Sequence, residues 1–274
     1  MSISEKICYS TVRIECIQDN NTRSTGTGFF FDFSMDKGSC IPCIVTNKHV
    51  VEKASKAKFV LTCILKQTGI THHETITITD FEKSWLGHPT ADLAIIPIAV
   101  IINILKNKGK ELYYVSISEE LIPTPTQLDE LTAIEDIIMV GYPDGLWDSF
   151  NNKPIMRKGI TATHPKHDFN NEKKFLIDAA CFPGSSGSPI FILNKGIFNG
   201  EKCGINIGKR IYFLGILYAG TLHMVDGKIE LALVPSIKSY IPNNLGLVIK
   251  SEVLLEFKQQ LKDMVNSFTN HIRK

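Results

Sequence analysis

The sequence predicts an all-β fold finished by a single C-terminal helix, on three observations. Short segments rich in β-branched and aromatic residues recur between turn residues, they fall into two series, and helical spacing of apolar residues closes the chain. The first series covers residues 9–17, 28–33, 41–46, 58–65, 74–79 and 93–98. The second covers 137–141, 175–178, 188–193, 211–218 and 228–234. Strands punctuated so regularly belong to barrels and sandwiches. The apolar run 93–105 is a buried strand leading into a short helix that ends near Gly109. It holds Pro97 and Asn103 and falls short of the roughly 20 residues a membrane-spanning helix needs. Residues 116–136, rich in Pro, Thr, Glu and Leu, have the composition of a connection between two β units, 1–115 and 137–250. In 251–268, Leu254, Leu255, Leu261, Met264, Val265 and Phe268 recur at helical spacing, with Ser251 placed as N-cap and Glu252 in the first turn.

Composition narrows the function. The 274 residues make one large or two small domains, enough to bury a core. Hydrophobic content of 43% and charged content of 21% are ordinary for a soluble globular protein. Thirty basic and 28 acidic residues leave a formal charge of +2 without a strongly basic stretch, so nucleic acid is not expected as a partner. No membrane span is indicated. Met1-Ser2-Ile3-Ser4-Glu5-Lys6 lacks the basic region and apolar core of a signal peptide, and the expected location is cytoplasmic. Seven cysteines, an odd number, suit reduced thiols there. Cys40-Ile41-Pro42-Cys43 has redox-motif spacing but runs into a strand instead of opening a helix. With no second pair to complete a zinc site, it is read as an incidental thiol pair, and no metal is expected.

The chemistry lies in Asp178-Ala179-Ala180-Cys181-Phe182-Pro183-Gly184-Ser185-Ser186-Gly187-Ser188-Pro189. Serine is a poor nucleophile until a base takes its proton and backbone N–H groups hold the oxyanion that forms. A Gly-x-Ser-Gly turn meets the second need, because glycine lets consecutive amides converge on one point. The first need is met upstream. Thr46-Asn47-Lys48-His49-Val50-Val51 offers a histidine and Ala91-Asp92-Leu93-Ala94-Ile95-Ile96 an aspartate. The chain order His, Asp, Ser is that of the chymotrypsin-type triad. An α/β-hydrolase elbow would need glycine where Ser188 stands and would place the triad histidine last, whereas His49 comes first.

These blocks, with Ser24-Thr25-Gly26-Thr27-Gly28-Phe29-Phe30 and Gly215-Ile216-Leu217-Tyr218-Ala219-Gly220, resemble trypsin-like serine peptidases of the chymotrypsin fold. The resemblance is strongest to the bacterial HtrA-type (Deg-type) catalytic domain, and it covers about residues 7 to 235. It implies two six-stranded antiparallel β-barrels with the active site between them, a C-terminal helix packed on the second, and no metal or organic cofactor. It also implies a serine endopeptidase acting on protein or peptide substrates. Ser186 would be the nucleophile, His49 the general base and then acid, and Asp92 the group that orients His49; the rival Asp80 is followed by no matching strand. The N–H groups of Gly184 and Ser186 would form the oxyanion hole.

The primary specificity pocket would be lined by Ala179, Ala180 and Cys181, with Tyr218, Ala219 and Gly220 opposite. Ala180 stands where trypsins carry an acid, so small or medium apolar side chains are expected before the scissile bond. Ser185 stands where zymogen-activated enzymes have aspartate, and Ser188 where most relatives have glycine. HtrA-type proteins usually continue into a PDZ module, whereas this chain stops after its helix, so the family's substrate-capture and trimer-forming segments are not assumed. Two other functions fit the same motifs. One is a protease-fold binding or scaffold module. The other is a latent protease switched on by a partner protein, with the loop 141–152 as its gate.

Overall fold

The computed structural model describes residues 1–200, 204–227 and 237–272. A short helix, α1 (Ile3–Ile7), leads into β1 (Thr11–Ile17), β2 (Arg23–Ser34) and β3 (Cys40–Thr46). One helical turn, α2 (Lys48–Val51), separates these from β4 (Lys56–Leu65), β5 (Thr71–Thr79), β6 (Leu86–Gly87) and β7 (Ala94–Pro97). Helix α3 (Ala99–Asn107), β8 (Lys110–Leu112), β9 (Ile117–Ser118) and the capped turn α4 (Pro125–Leu128) complete the first half. The second half contains β10 (Asp136–Gly141), β11 (Ile155–Thr161), β12 (Lys174–Asp178), β13 (Pro189–Gly200), β14 (Gly204–Gly227) and β15 (Ile237–Lys250), and α5 (Phe257–Ile272) ends it. No helix among the described residues is long and apolar enough to cross a membrane.

The fold is the expected one of two β units and a C-terminal helix. The second unit closes as a six-stranded barrel in the order β10-β11-β12-β15-β14-β13. The first is a nine-stranded sheet with the path β5-β4-β1-β2-β3-β7-β6, to which β8 and β9 attach. Its excess over six strands comes from the two- and three-residue strands β6, β8 and β9, too short to show a period. In the second unit, β11 and β15 were not among the expected strands. In β11, Arg157-Lys158-Gly159 interrupts the apolar pattern, and Ile155 and Met156 are exposed. In β15, Pro242, Asn243, Asn244 and Gly246 have the composition of a turn, but Pro242 and Gly246 pair with Leu222 and Gly220 of β14 on either side of a register shift. The expected strand 228–234 lies outside the described residues.

The alternation of β2 explains how the halves join. Phe30 faces the first core, with Ile14, Ile44, Phe59 and Ile96. Its neighbours Phe29, Phe31 and Phe33 point the other way, into a second core shared with Phe191, Phe213, Phe257 and Leu261. Phe29 and Phe213 meet edge to face with centroids 5.3 Å apart. Strands β2, β3 and β7 are therefore buried on both faces, which makes β2 the spine between the two units.

The C-terminal helix begins later than its sequence suggests. Ser251 lies inside a 3₁₀ helix, Ser251–Glu256, whose cap position is Lys250 without a side-chain cap bond; the α-helix proper starts at Phe257. Burial of Val253, Leu254 and Phe257 goes with the tighter first turn, and Ser251 is itself buried.

Candidate active site

Sheet register brings His49 and Asp92 together. Strand β3 pairs with β7 so that Thr46 opposes Ala94. The chain leaving β3 and the chain entering β7 thus lie at the same end of the sheet, and they carry His49 and Asp92. Asp92 Oδ2 lies 2.5 Å from His49 Nδ1, and Asp92 Oδ1 accepts the His49 backbone N–H at 3.1 Å. Asn47 Nδ2 donates to the Asp92 carbonyl at 2.8 Å, and Lys48 Nζ to the His88 carbonyl at 2.9 Å. Burial alone would raise the Asp92 carboxyl. The hydrogen bond and charge of His49, with the N–H groups of His49 and Lys48, outweigh it and hold the group below the usual carboxylate value.

Close to this pair in the chain lies His88, which no sequence motif marks. It is buried, its Nδ1 accepts the N–H groups of Ala91 (3.0 Å) and Thr90 (3.3 Å), and its Nε2 lies 3.2 Å from Glu256 Oε2. Burial, partly opposed by Glu256, lowers its pKa, and the neutral ring that results is the form able to accept those two N–H groups. His88 therefore ties the Asp92 loop to the C-terminal segment.

Ser186 lies between β12 and β13, in a turn flanked by Gly184 at φ +83° and Gly187 at φ +88°. A Cβ at Gly187 would fall 1.9 Å from the Thr27 carbonyl oxygen, so only glycine fits there. The same atom would lie 2.8 Å from Thr46 Oγ1, three residues before His49, which places the serine turn against the histidine segment. Thr27 N–H donates to the Ser186 carbonyl at 2.9 Å. Among the described residues no hydrogen bond joins His49 Nε2 to Ser186 Oγ; such bonds are often long in enzymes without substrate.

The Pro183 carbonyl accepts the Asp144 N–H at 2.6 Å. Across a trans peptide the N–H points opposite to the carbonyl, so this contact turns the Gly184 N–H away from Asp144. Neither that N–H nor the Ser186 N–H donates to an acceptor among the described residues. Ser185, by contrast, is buried, and its Oγ accepts the Phe182 N–H at 3.4 Å.

Of the expected pocket residues, Ala179 and Cys181 are buried and Ala180 is half-buried. Burial pushes the Cys181 thiol up to about 11, which keeps it protonated and uncharged near neutrality. Gly220 pairs with Gly246 across β14 and β15, and a Cβ on Gly246 would come within 2.7 Å of Cys181 Sγ. Gly246, absent from the expected set, therefore stands beside this segment. Arg157 braces it as well: Nη1 donates to the Ala180 carbonyl at 2.8 Å, and the guanidinium lies 4.7 Å from the Phe182 ring centre. Asp178 is exposed at the end of β12. Tyr218 lines a cavity of about 370 Å³ with Asp92, His88, Lys173 and Lys174, and the Lys174 ammonium lies 4.9 Å from its ring centre. The structure thus groups the Tyr218 side chain with the aspartate. Ala219 and Gly220 continue its strand.

In the loop after β10, Leu146 and Phe150 are exposed, whereas Tyr142 is buried and Trp147 lies under Arg13, whose guanidinium is 4.4 Å from its ring centre. Six cysteines are free thiols among the described residues; Cys40 is exposed and Cys43 buried.

Two β units with a histidine–aspartate pair and a glycine-flanked serine turn between them define a trypsin-like arrangement, and the sequence agrees. Residues 26–197, more than half of the chain, match the model of the trypsin-like peptidase domain, and the chain belongs to that family. In fold it is similar to the HtrA-type protease AlgW with a tripeptide (TM-score 0.51, 15% identity, 94% of this chain and 61% of that one). It is also similar to a variant of AlgW with a decapeptide (TM-score 0.50, 13% identity, 96% of this chain and 67% of that one). The chain thus spans about three fifths of the first of these structures. No curated protein matches it by sequence.

Proposed function

We propose that this chain is a serine endopeptidase that hydrolyses peptide bonds through an acyl-enzyme on Ser186. His49, held by Asp92 through Nδ1, presents Nε2 to Ser186 and takes the hydroxyl proton as Oγ attacks the carbonyl. The carbonyl oxygen becomes an oxyanion and accepts from the Gly184 and Ser186 N–H groups. His49 then protonates the leaving amine, and water repeats the sequence on the ester. The observation that carries this reading is the Gly184 amide, left without an acceptor by the Asp144 contact in a turn lodged against the histidine segment.

The preferred residue before the cut is small or medium and apolar. Ala179, Ala180 and Cys181 offer no fixed negative charge, and the Arg157 guanidinium against the Ala180 carbonyl disfavours a substrate cation there. The complexes of AlgW with short peptides support a peptide as the class of substrate. The test is a digest of a peptide library by the native chain and by Ser186→Ala. Cuts after Val, Ala or Leu that vanish in the variant support the reading. Equal cutting by the variant, or none by the native chain, refutes it.

A further inference from the structure

We infer that Thr27 is a positioning residue for the oxyanion hole, fixing the serine turn from the other β unit; this rests on the peptidase reading above. The turn needs an external restraint. Gly184 tolerates either sign of φ, so the Pro183–Gly184 peptide has little intrinsic preference between presenting its N–H and presenting its carbonyl to the site. Ser185 hydrogen-bonds within its own turn, to the Phe182 N–H, and anchors the turn to nothing outside it.

While the Gly187 N–H and Ser188 carbonyl bond to Leu217, two contacts set the carbonyls of Pro183 and Gly184. One is the Asp144 N–H on the Pro183 carbonyl. The other is the Thr27 hydroxyl, which donates to the Gly184 carbonyl at 2.9 Å. That hydroxyl also accepts the Tyr142 N–H at 3.0 Å, so one buried oxygen joins the serine turn to the loop carrying Asp144. Ser188 Oγ reaches it as well, at 3.3 Å, while the Thr27 N–H and carbonyl hold the Ser186 carbonyl and Thr46 Oγ1. The surroundings are closed: a Cβ on Gly141 would lie 2.0 Å from Ser188 Oγ and 2.7 Å from Thr27 Oγ1. Farther out, Arg13 Nε donates to the Gly145 carbonyl at 3.2 Å and fastens the same loop to β1. Strand β2 thus holds the Gly184–Ser185 peptide directly through the Thr27 hydroxyl, and through the Tyr142 N–H it steadies the loop whose Asp144 N–H holds the Pro183–Gly184 peptide.

Thr27→Val keeps the shape and removes the hydroxyl, and Thr27→Ser keeps the hydroxyl. Losing an oxyanion donor outright costs about 10²–10³ in kcat, so Thr27→Val, which loosens one donor, is expected to lower kcat and fluorophosphonate labelling of Ser186 by roughly 10- to 100-fold. KM should stay within about twofold, since ground-state contacts are untouched, and Thr27→Ser should recover to within about threefold of native. A folded Thr27→Val that labels within about threefold of native overturns the inference. If Thr27→Val does not fold, Thr27→Cys, whose thiol is a weak donor and acceptor, replaces it: Ser well above Cys supports the inference, and equal rates overturn it. A native chain that neither labels nor cleaves refutes the peptidase reading instead. The inference is then decided by the crystal structure of Thr27→Val, where a turned Pro183–Gly184 peptide supports it and an unchanged one overturns it.

Discussion

Asp92→Asn separates orientation from charge at the candidate site. The carboxylate accepts from the His49 ring through Oδ2, at 2.5 Å, and from the His49 backbone N–H through Oδ1, at 3.1 Å. An asparagine keeps its oxygen toward the backbone donors of His49 and Lys48, which leaves its NH₂ facing Nδ1. A neutral ring then has its proton on Nε2, where it cannot take one from Ser186. The wrong tautomer costs about 10⁴ in kcat in the general triad case. That is roughly 5.5 kcal/mol at about 1.36 kcal/mol per factor of ten. The stability cost is smaller, at most about 1–2 kcal/mol, because the pair is only half-buried. The Asp92 pKa is depressed in the folded state, so its stabilisation is complete above the unfolded carboxylate value and is lost as pH falls through the folded value. The variant's stability deficit should accordingly be present at neutral pH and shrink in acid. The assay is kcat on a cleaved peptide beside urea unfolding. A loss of about tenfold or less in a folded protein would show that another group orients His49.

Gly187→Ala should cost at least about 3 kcal/mol of stability or prevent folding, because its Cβ would lie 1.9 Å from the Thr27 oxygen at a φ of +88°; urea midpoints measure it, and a loss under about 1 kcal/mol contradicts the close approach. Ala180→Asp should move cleavage toward Lys and Arg in a peptide-library digest, and an unchanged profile would show that Ala180 does not line the pocket. Glu74 is held at about 2 by hydrogen bonds from Lys108 and then Lys110. Its stabilisation is whole above the ordinary carboxylate range and is lost as pH falls toward about 2, so the Tm gap between native protein and Glu74→Gln should be flat above about pH 5 and narrow below it.

The histidine, aspartate and serine blocks could be read in the sequence because each is short and local. The Gly-Ser-Ser-Gly turn, the Thr46–Val51 block and the Asp92 block each carry their own punctuation, and the period-2 runs around them place most strands. The supports could not be read. His88 serves the Asp92 loop through Glu256, and Arg157 braces Ala180 across a barrel; each pairing is set by tertiary register, which no local spacing encodes. Thr27 lay inside a recognised block, but its hydroxyl acts on Gly184 and Tyr142, more than a hundred residues away. Strand β15 was hidden because Pro242 to Gly246 has turn chemistry that the bulged pairing with β14 absorbs. Tyr218 was placed on the pocket wall by the resemblance of its block; its ring lies beside Lys174 and shares a cavity with Asp92, neighbours that no local spacing encodes.

Whether Ser186 is the one activated serine is read from the site of fluorophosphonate attachment, mapped by peptide mass spectrometry. A single adduct on Ser186 is expected in the native chain, none in Ser186→Ala, and a much slower adduct in Asp92→Asn. An adduct on Ser185 or Ser188, or full labelling of Ser186→Ala, would contradict it.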